Sequence, residues 1–232
     1  MKKALFLISL FLLITQTTKA QFGNESISHH FALKPIKTNN PLDSVATTDI
    51  SFALSLRKLY RDYKGFCIKV RRASDSTEMN IGFNGDGLVD TNAIHTFKGT
   101  SNVFVSIWYD QTGLGRNARQ DSLSLQPLLQ FEKHRKFPVI KFDGSNDYLA
   151  IDTSIQLLTN QGADGSLFYV GNSTKRNQWS FGSYKHLSSS DRWSTHTSWG
   201  NDNVYFDPGV CCNNPRNFNN SSRRDSFDQY SF

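Results

Sequence analysis

From residue 66 onward, the apolar residues come in short bursts, and every burst is stopped by Gly, Asn, Asp or Ser. "FCIKVRR" alternates Phe66, Ile68 and Val70 against Cys67, Lys69 and Arg71, the period-2 pattern of a strand with one covered face. "NVFVSIWYD" carries little polar alternation, as a strand covered on both faces does. "FPVIKFDGSNDYLAI" reads as strand, turn, strand, and "SLFYVGN", "QWSFGS", "RWSTHTSW" and "NVYFDPG" as further short strands. Runs of this length are too short for helices and too many for a helical bundle. They predict a mainly β chain, a sandwich or a barrel. One segment departs from the pattern. In "TTDISFALSLRKLYRDYKG", Leu56, Leu59, Tyr60 and Tyr63 recur at helical spacing. Thr47 or Thr48 stands where an N-cap would, and Gly65 where a C-terminal cap would. This predicts one N-terminal helix. "NAIHTFKG" reads as one short helical turn, and "NGDG" at 84–87 as a turn.

The first 20 residues stand apart. A positive "MKK", an apolar "ALFLISLFLLI" and a small-residue "TKA" make a bacterial-type signal peptide, with cleavage expected after Ala20. The apolar run is short for a bilayer span. The expected product is secreted or held at the cell surface and has no membrane segment. Residues 21–46, with Pro35 and Pro41, read as an extended lead-in, and 47–232 as one domain. The formal charge is +6, and three of the lysines leave with the signal. What remains is too small and too scattered for a nucleic-acid footprint. Arg57, Lys58, Arg61, Lys64, Lys69, Arg71 and Arg72 read as a solvated basic face. No His or Cys falls at metal-ligand spacing, so neither a metal nor another cofactor is expected. The three cysteines are Cys67, Cys211 and Cys212. Export permits disulfides, and the pairing is either Cys211 with Cys212 or Cys67 with one of them.

Several residues are candidates on their own chemistry. In "WYDQTGLGRNARQ", Asp110 ends an apolar strand and precedes a glycine turn. There an Asp side chain caps backbone N–H groups two residues on, with Gln111 beside it and Gly113 and Gly115 supplying positive φ. Trp193 and Trp199 share a face six residues apart. Trp193 suits a core, and Trp199, next to "GNDN", suits stacking on a sugar ring. Asp202 and Asp207 flank "NVYF" and are candidate carboxylates for sugar contact or catalysis.

Three stretches taken together, "ALSLRKLYRDYKGFCIKVRRASDSTEMNIGF", "GLVDTNAIHTF" and "VSIWYDQTGLGRNARQ", resemble the N-terminal part of the catalytic domain of α-L-arabinofuranosidase B, glycoside hydrolase family 54. More weakly, "KFDGSNDYL", "LFYVGN" and "RWSTHTSWGNDNVYFDPGVCC" resemble laminin G-like domains of the concanavalin A type. The resemblance implies a concanavalin A-like jelly-roll sandwich and hydrolysis of terminal arabinofuranosyl bonds with retention. Retention needs two carboxyl groups roughly 5–5.5 Å apart. The family places its nucleophilic glutamate in a "DMENN"-like stretch, which here aligns with "WGNDN". Asn201 falls where the glutamate would stand, and an amide has no anionic oxygen. Asp202 is the nearest carboxylate, but the next residue on a strand faces the other way. The family's general acid lies further on, and this chain is expected to stop before it. The Asn- and Ser-rich residues 213–226 read as loop, and the ending "SSRRDSFDQYSF" offers no closing strand pair, so the sandwich is expected to be incomplete. The vicinal pair Cys211–Cys212 resembles the cysteine pair that lines the family's sugar site. The implied substrate-binding set is Trp199, Asn201, Asn203, Asp207, Cys211 and Cys212, with Asp202 as the one catalytic candidate.

Two readings of function follow. One is a secreted arabinofuranosidase acting on arabinose-containing polysaccharide. The other is a non-catalytic, lectin-like module that binds glycan or mediates adhesion. The missing glutamate favours the second, and the motif match favours the first.

Overall fold

The computed structural model describes residues 40–131, 137–158, 166–173, 175–177, 179–183, 192–197, 199–200, 203–209, 216–219 and 228–231. The expected signal peptide, most of the lead-in, Asn201, Asp202, Cys211 and Cys212 lie outside the described residues. The described chain is mainly β and its strand pairs are antiparallel, an arrangement consistent with a sandwich. No described helix is long and apolar enough to cross a membrane.

The larger sheet is built on β1 (Ile68–Arg72), β2 (Glu78–Ile81) and β3 (Val103–Trp108). It continues through β4 (Ala118–Arg119), β5 (Leu128–Gln130), β6 (Val139–Lys141) and β7 (Ala150–Ile151). Its order is β2-β1-β3-β4-β7, with β5 also on β3 and β6 on β5. A bulge between Lys69 and Val70 shifts the β1–β3 register. On one face the alternating apolar residues Ile68, Val70, Ile81, Val103, Val105 and Leu129 form the core with Cys67, Val89 and Ile94. Cys67 is a buried free thiol, and burial pushes it well above the usual thiol range.

On the opposite face, one cross-strand row runs Glu78, Arg71, Phe104, Leu128, Lys141. Arg71 is no part of a solvated face. It is 6% exposed. Its Nε donates to Gln126 Oε1 at 2.6 Å, its Nη2 to the Leu123 carbonyl, and its guanidinium lies over the Phe104 ring. Sequence alternation places Arg71 on the face away from the core. It cannot show that residues 120–128 fold over that face.

The expected N-terminal helix does not form. Only Thr47–Asp49 make a 3-10 turn, and residues 50–65 run extended and irregular. A helix needs each N–H to reach the carbonyl four residues back, and in this segment those groups are taken by distant partners. The Ala53 N–H donates to Asp110 Oδ1, Lys58 to the Gly87 carbonyl and Leu59 to Gln111 Oε1. The carbonyls of Ser55 and Arg57 accept from Gln111 Nε2, and that of Leu56 from the Val89 N–H. The spacing of Leu56 and Tyr60 reflects packing of an extended chain, with Leu56 against the main core and Tyr60 buried. The chain's eight-residue helix is α1 (Thr91–Lys98), where sequence predicts only a turn. Asp90 Oδ1 caps it by accepting from the Ala93 N–H at 3.0 Å, Gly99 ends it at φ 53°, and Ile94 buries its inner face.

The second half adds the one-turn helix α2 (Ile155–Leu158), then β8 (Phe168–Gly171), β9 (Phe181–Gly182), β10 (Arg192–His196) and β11 (Asn203–Gly209). β12 (Arg216–Asn219) and β13 (Asp228–Ser231) follow. A four-stranded sheet has the order β12-β11-β10-β9, and β13 pairs with β8. Two sequence expectations fail here. The Asn- and Ser-rich stretch contains β12, and "SSRRDSFDQYSF" does supply a closing strand, since Asp228–Ser231 pair with Phe168–Gly171. Backbone pairing with β11 and β8 overrides poor strand composition.

Candidate functional site

The "YDQTG" stretch is a hydrogen-bonded hub. Asp110 and Gln111 are 3% and 2% exposed. Asp110 Oδ1 accepts from the N–H groups of Ala53 and Thr112 at 2.9 and 3.1 Å. Its Oδ2 accepts from the Thr112 hydroxyl and the Arg116 N–H at 2.6 and 3.2 Å. Gln111 is spent as fully: its amide N–H groups reach the Ser55 and Arg57 carbonyls, and its oxygen accepts from the Leu59 N–H at 2.7 Å. Gly113 and Gly115 take φ of 84° and 73°, which carry the turn. A carboxylate with four internal donors has no oxygen directed at a substrate. Asp110 holds the turn to residues 51–59.

The second cluster lies around β10. Trp193 packs edge-on against Phe206 at 5.4 Å, both buried. His196, 3% exposed, stands between two indoles, with ring centroids 6.0 Å from Trp179 and 4.5 Å from Trp199. Those two indoles are 45% and 38% exposed. The Trp199 N–H donates to the Asn203 carbonyl at 3.0 Å, which closes the β10–β11 connection. Asp207 pairs with Ser194 through the backbone of β11, and its side chain lies outside the described residues, as do Asn201, Asp202, Cys211 and Cys212. Of the expected sugar-site residues, the structure brings together Trp199 and Asn203. Sequence alone does not single out Trp179 or His196. The signal available was "QWSFGS", in which a tryptophan precedes a strand of only two residues and has little sheet to hide in.

A third feature is a groove of roughly 450 Å³ over the non-core face of the larger sheet. Phe104, Leu128 and Lys141 floor it. Leu123, Ser124, Gln126, Asp143 and Asp147 complete its lining. The two carboxyls differ in environment. Backbone N–H groups of Ser145, Asp147 and Asn146 hold Asp143 below the usual carboxyl range, while burial raises Asp147. Both are occupied by the turn between β6 and β7: Asp143 Oδ1 accepts three N–H groups, and Asp147 Oδ2 accepts from the Asp143 N–H at 3.0 Å. Among the described residues, no group of three or more His, Cys, Asp or Glu is placed to hold a metal ion.

Residues 44–130 match the family described as α-L-arabinofuranosidase B, catalytic. They contain the whole hub and most of the larger sheet. A solved GH54 α-L-arabinofuranosidase soaked with a cyclic sulfate inhibitor is 32% identical over 31% of this chain and 15% of its own, at a TM-score of 0.29. An arabinofuranosidase complexed with arabinofuranosyl-α-1,2-xylobiose gives the same values. A mutant GH54 α-L-arabinofuranosidase soaked with 4-nitrophenyl α-L-arabinofuranoside is 17% identical over 72% of this chain and 40% of its own, at a TM-score of 0.46. This chain thus spans well under half the length of each of these structures. No curated protein is significantly similar to it. Through residues 44–130, the chain resembles the catalytic domain of α-L-arabinofuranosidase B.

Proposed function

We propose that this protein is exported and acts on glycans as an α-L-arabinofuranosidase B-type protein, cleaving terminal α-L-arabinofuranosyl groups. The carrying observation is the family match over 44–130, where the buried Asp110–Gln111 hub gives the matched motif a physical role. The substrate is an arabinose-bearing polysaccharide, and hydrolysis needs no cofactor. A retaining mechanism needs a nucleophilic carboxylate and a protonated acid on either side of the bond. Asp202 is the candidate for one of these roles.

The second reading is a glycan-binding module without catalysis. The exposed indole of Trp199 beside the β10–β11 connection favours it, as does the amide of Asn201 where the family has a glutamate. The test is release of p-nitrophenol from 4-nitrophenyl α-L-arabinofuranoside by wild type and by Asp202→Asn. The hydrolase reading expects release by wild type and at least a 100-fold lower rate in the variant. Equal rates remove Asp202 from the chemistry. No release by either, with arabinan still bound, leaves the binding module. Export is checked by the mass of the mature chain, which should begin at Gln21.

A further inference from the structure

We infer that Trp179 and Trp199 form a two-ring platform for a neutral sugar ring, held in place by His196 beneath them. This rests on the glycan reading above and names the surface that would carry it.

Three observations support the platform. First, exposed indoles need a reason. A tryptophan buries more apolar area than most side chains, so leaving two of them open in one place sacrifices hydrophobic stabilisation. Of the chain's four tryptophans, Trp193 is buried and Trp108 packs against the main core. Trp179 and Trp199 both remain more than one-third exposed. Second, the two rings converge. Each meets the buried His196 ring at a steep angle, 72° for Trp179 and 62° for Trp199, so neither indole is stacked flat against the imidazole. Third, the rings are braced. The Ser180 N–H donates to the Thr195 carbonyl at 2.9 Å, and the Ser180 and Thr197 hydroxyls are 2.8 Å apart, which ties the Trp179 segment to β10. Asn177, at φ 60°, brings its amide so close to Gly200 that a Cβ there would stand 3.2 Å from Asn177 Oδ1. A braced ring loses little freedom when a ligand arrives.

The surrounding chemistry selects the ligand class. The described chain beside the rings carries the amides and hydroxyls of Asn177, Ser180, Thr197 and Asn203, with Arg176 next to Asn177. Lys175 and Arg176 precede Trp179 in the chain, and their like charge disfavours a cation on the rings. Lys175 is turned onto the carbonyls of Asp143 and Gly144. Aromatic faces edged by amides and hydroxyls match a sugar, which offers an apolar C–H face and a rim of hydroxyls.

The experiment is binding of the full chain to soluble arabinan, arabinoxylan and a β-glucan, read by affinity electrophoresis and by tryptophan emission. Variants are Trp179→Ala, Trp199→Ala, both together, and the two Trp→Phe changes. Phe168→Ser, on an exposed ring of β8, is the control. Each Trp→Ala should weaken binding at least ten-fold, and the double variant should show neither retardation nor an emission change. The Phe variants should keep most of the affinity and the wild-type urea midpoint, which separates lost stacking from lost folding. Unchanged binding in either single Ala variant overturns the platform, as does failure of wild type to bind any of the three glycans. If arabinan binds and neither variant weakens it, the platform is wrong and the arabinose reading stands. If only the β-glucan binds and both variants abolish it, the platform stands and the arabinose reading falls.

Discussion

Asp110 shows how a residue that looks catalytic can be wholly structural. A carboxylate at the end of an apolar strand, followed by an amide and glycines, has the composition of an active site. What decides the matter is where its oxygens point, and all four hydrogen bonds run to Ala53, Thr112 and Arg116 of the chain itself. Sequence gives half of this, because an Asp before a glycine turn is a known backbone cap. The other half, the bond to Ala53 57 positions earlier in the chain, has no local signature. Asp110→Asn tests the role. The amide keeps one acceptor oxygen and turns an N–H₂ toward the Arg116 N–H, so two bonds to a buried charge are lost and two donors face each other. The cost should be about 2 kcal/mol, read as a lower urea midpoint with an unchanged slope. A variant as stable as wild type would mean that the hub does not hold residues 51–59.

At the scale of elements, several strands are legible in sequence, β12 and β13 are not, and the eight-residue helix stands where sequence reads only a turn. Ile68–Arg72, Val139–Lys141 and Asn203–Gly209 fall within the runs that sequence marks, because period-2 alternation and turn residues act locally. Residues 50–65 have helical spacing but lose their backbone groups to Gln111, Asp110 and Gly87, partners that no window of the sequence contains. The turn between β6 and β7 gives a pH-dependent test. Asp143 is held below its ordinary value by three backbone N–H groups, so its ionised form stabilises the fold. That contribution is fully present above the unfolded-state value of about 3.9 and is lost as pH falls through the folded-state value. Asp147 is raised by burial, so its contribution has the opposite sign. It is present below the unfolded value and is lost as pH rises through the folded one. Asp143→Asn, which keeps the acceptor oxygen and removes the charge, should therefore have a lower urea midpoint than wild type at pH 7, with a narrower gap at pH 3. Asp147→Asn should lose nothing at pH 7. A constant gap for Asp143→Asn at both pH values would show that the charge does not stabilise the turn.

For the molecule as a whole, the question is what joins the core-bearing sheet to the half that carries the exposed tryptophans. Within the described residues, the extended segment 51–53 touches both. Ala53 is bonded to Asp110, the Ser51 hydroxyl donates to the Leu158 carbonyl at 2.5 Å, and the Phe52 ring stacks on Phe181 of β9 at 5.8 Å and 25°. Had this segment formed the expected helix, the Ala53 N–H would have been bonded to the carbonyl four residues back and could not have reached Asp110. The site around β10 was legible in sequence only as Trp199 beside "GNDN". Its partner Trp179 lies twenty positions earlier and meets it through His196, a relation set by the pairing of β9 with β10. The bridge makes a prediction that needs no ligand. Three of the four tryptophans, at 179, 193 and 199, lie in the second half, so emission reports chiefly on that half, while far-ultraviolet dichroism reports on all the sheets. In wild type, the two thermal transitions should coincide, as they do when halves unfold together. Phe52→Ala removes one side of the stack at a cost of about 1–2 kcal/mol. The emission midpoint should then fall below the dichroism midpoint, because the second half is released before the core of Ile68, Val70 and Val105 gives way. Coincident transitions in the variant, at the wild-type temperature, would show that Phe52 bridges nothing and that the two halves are held together by other contacts.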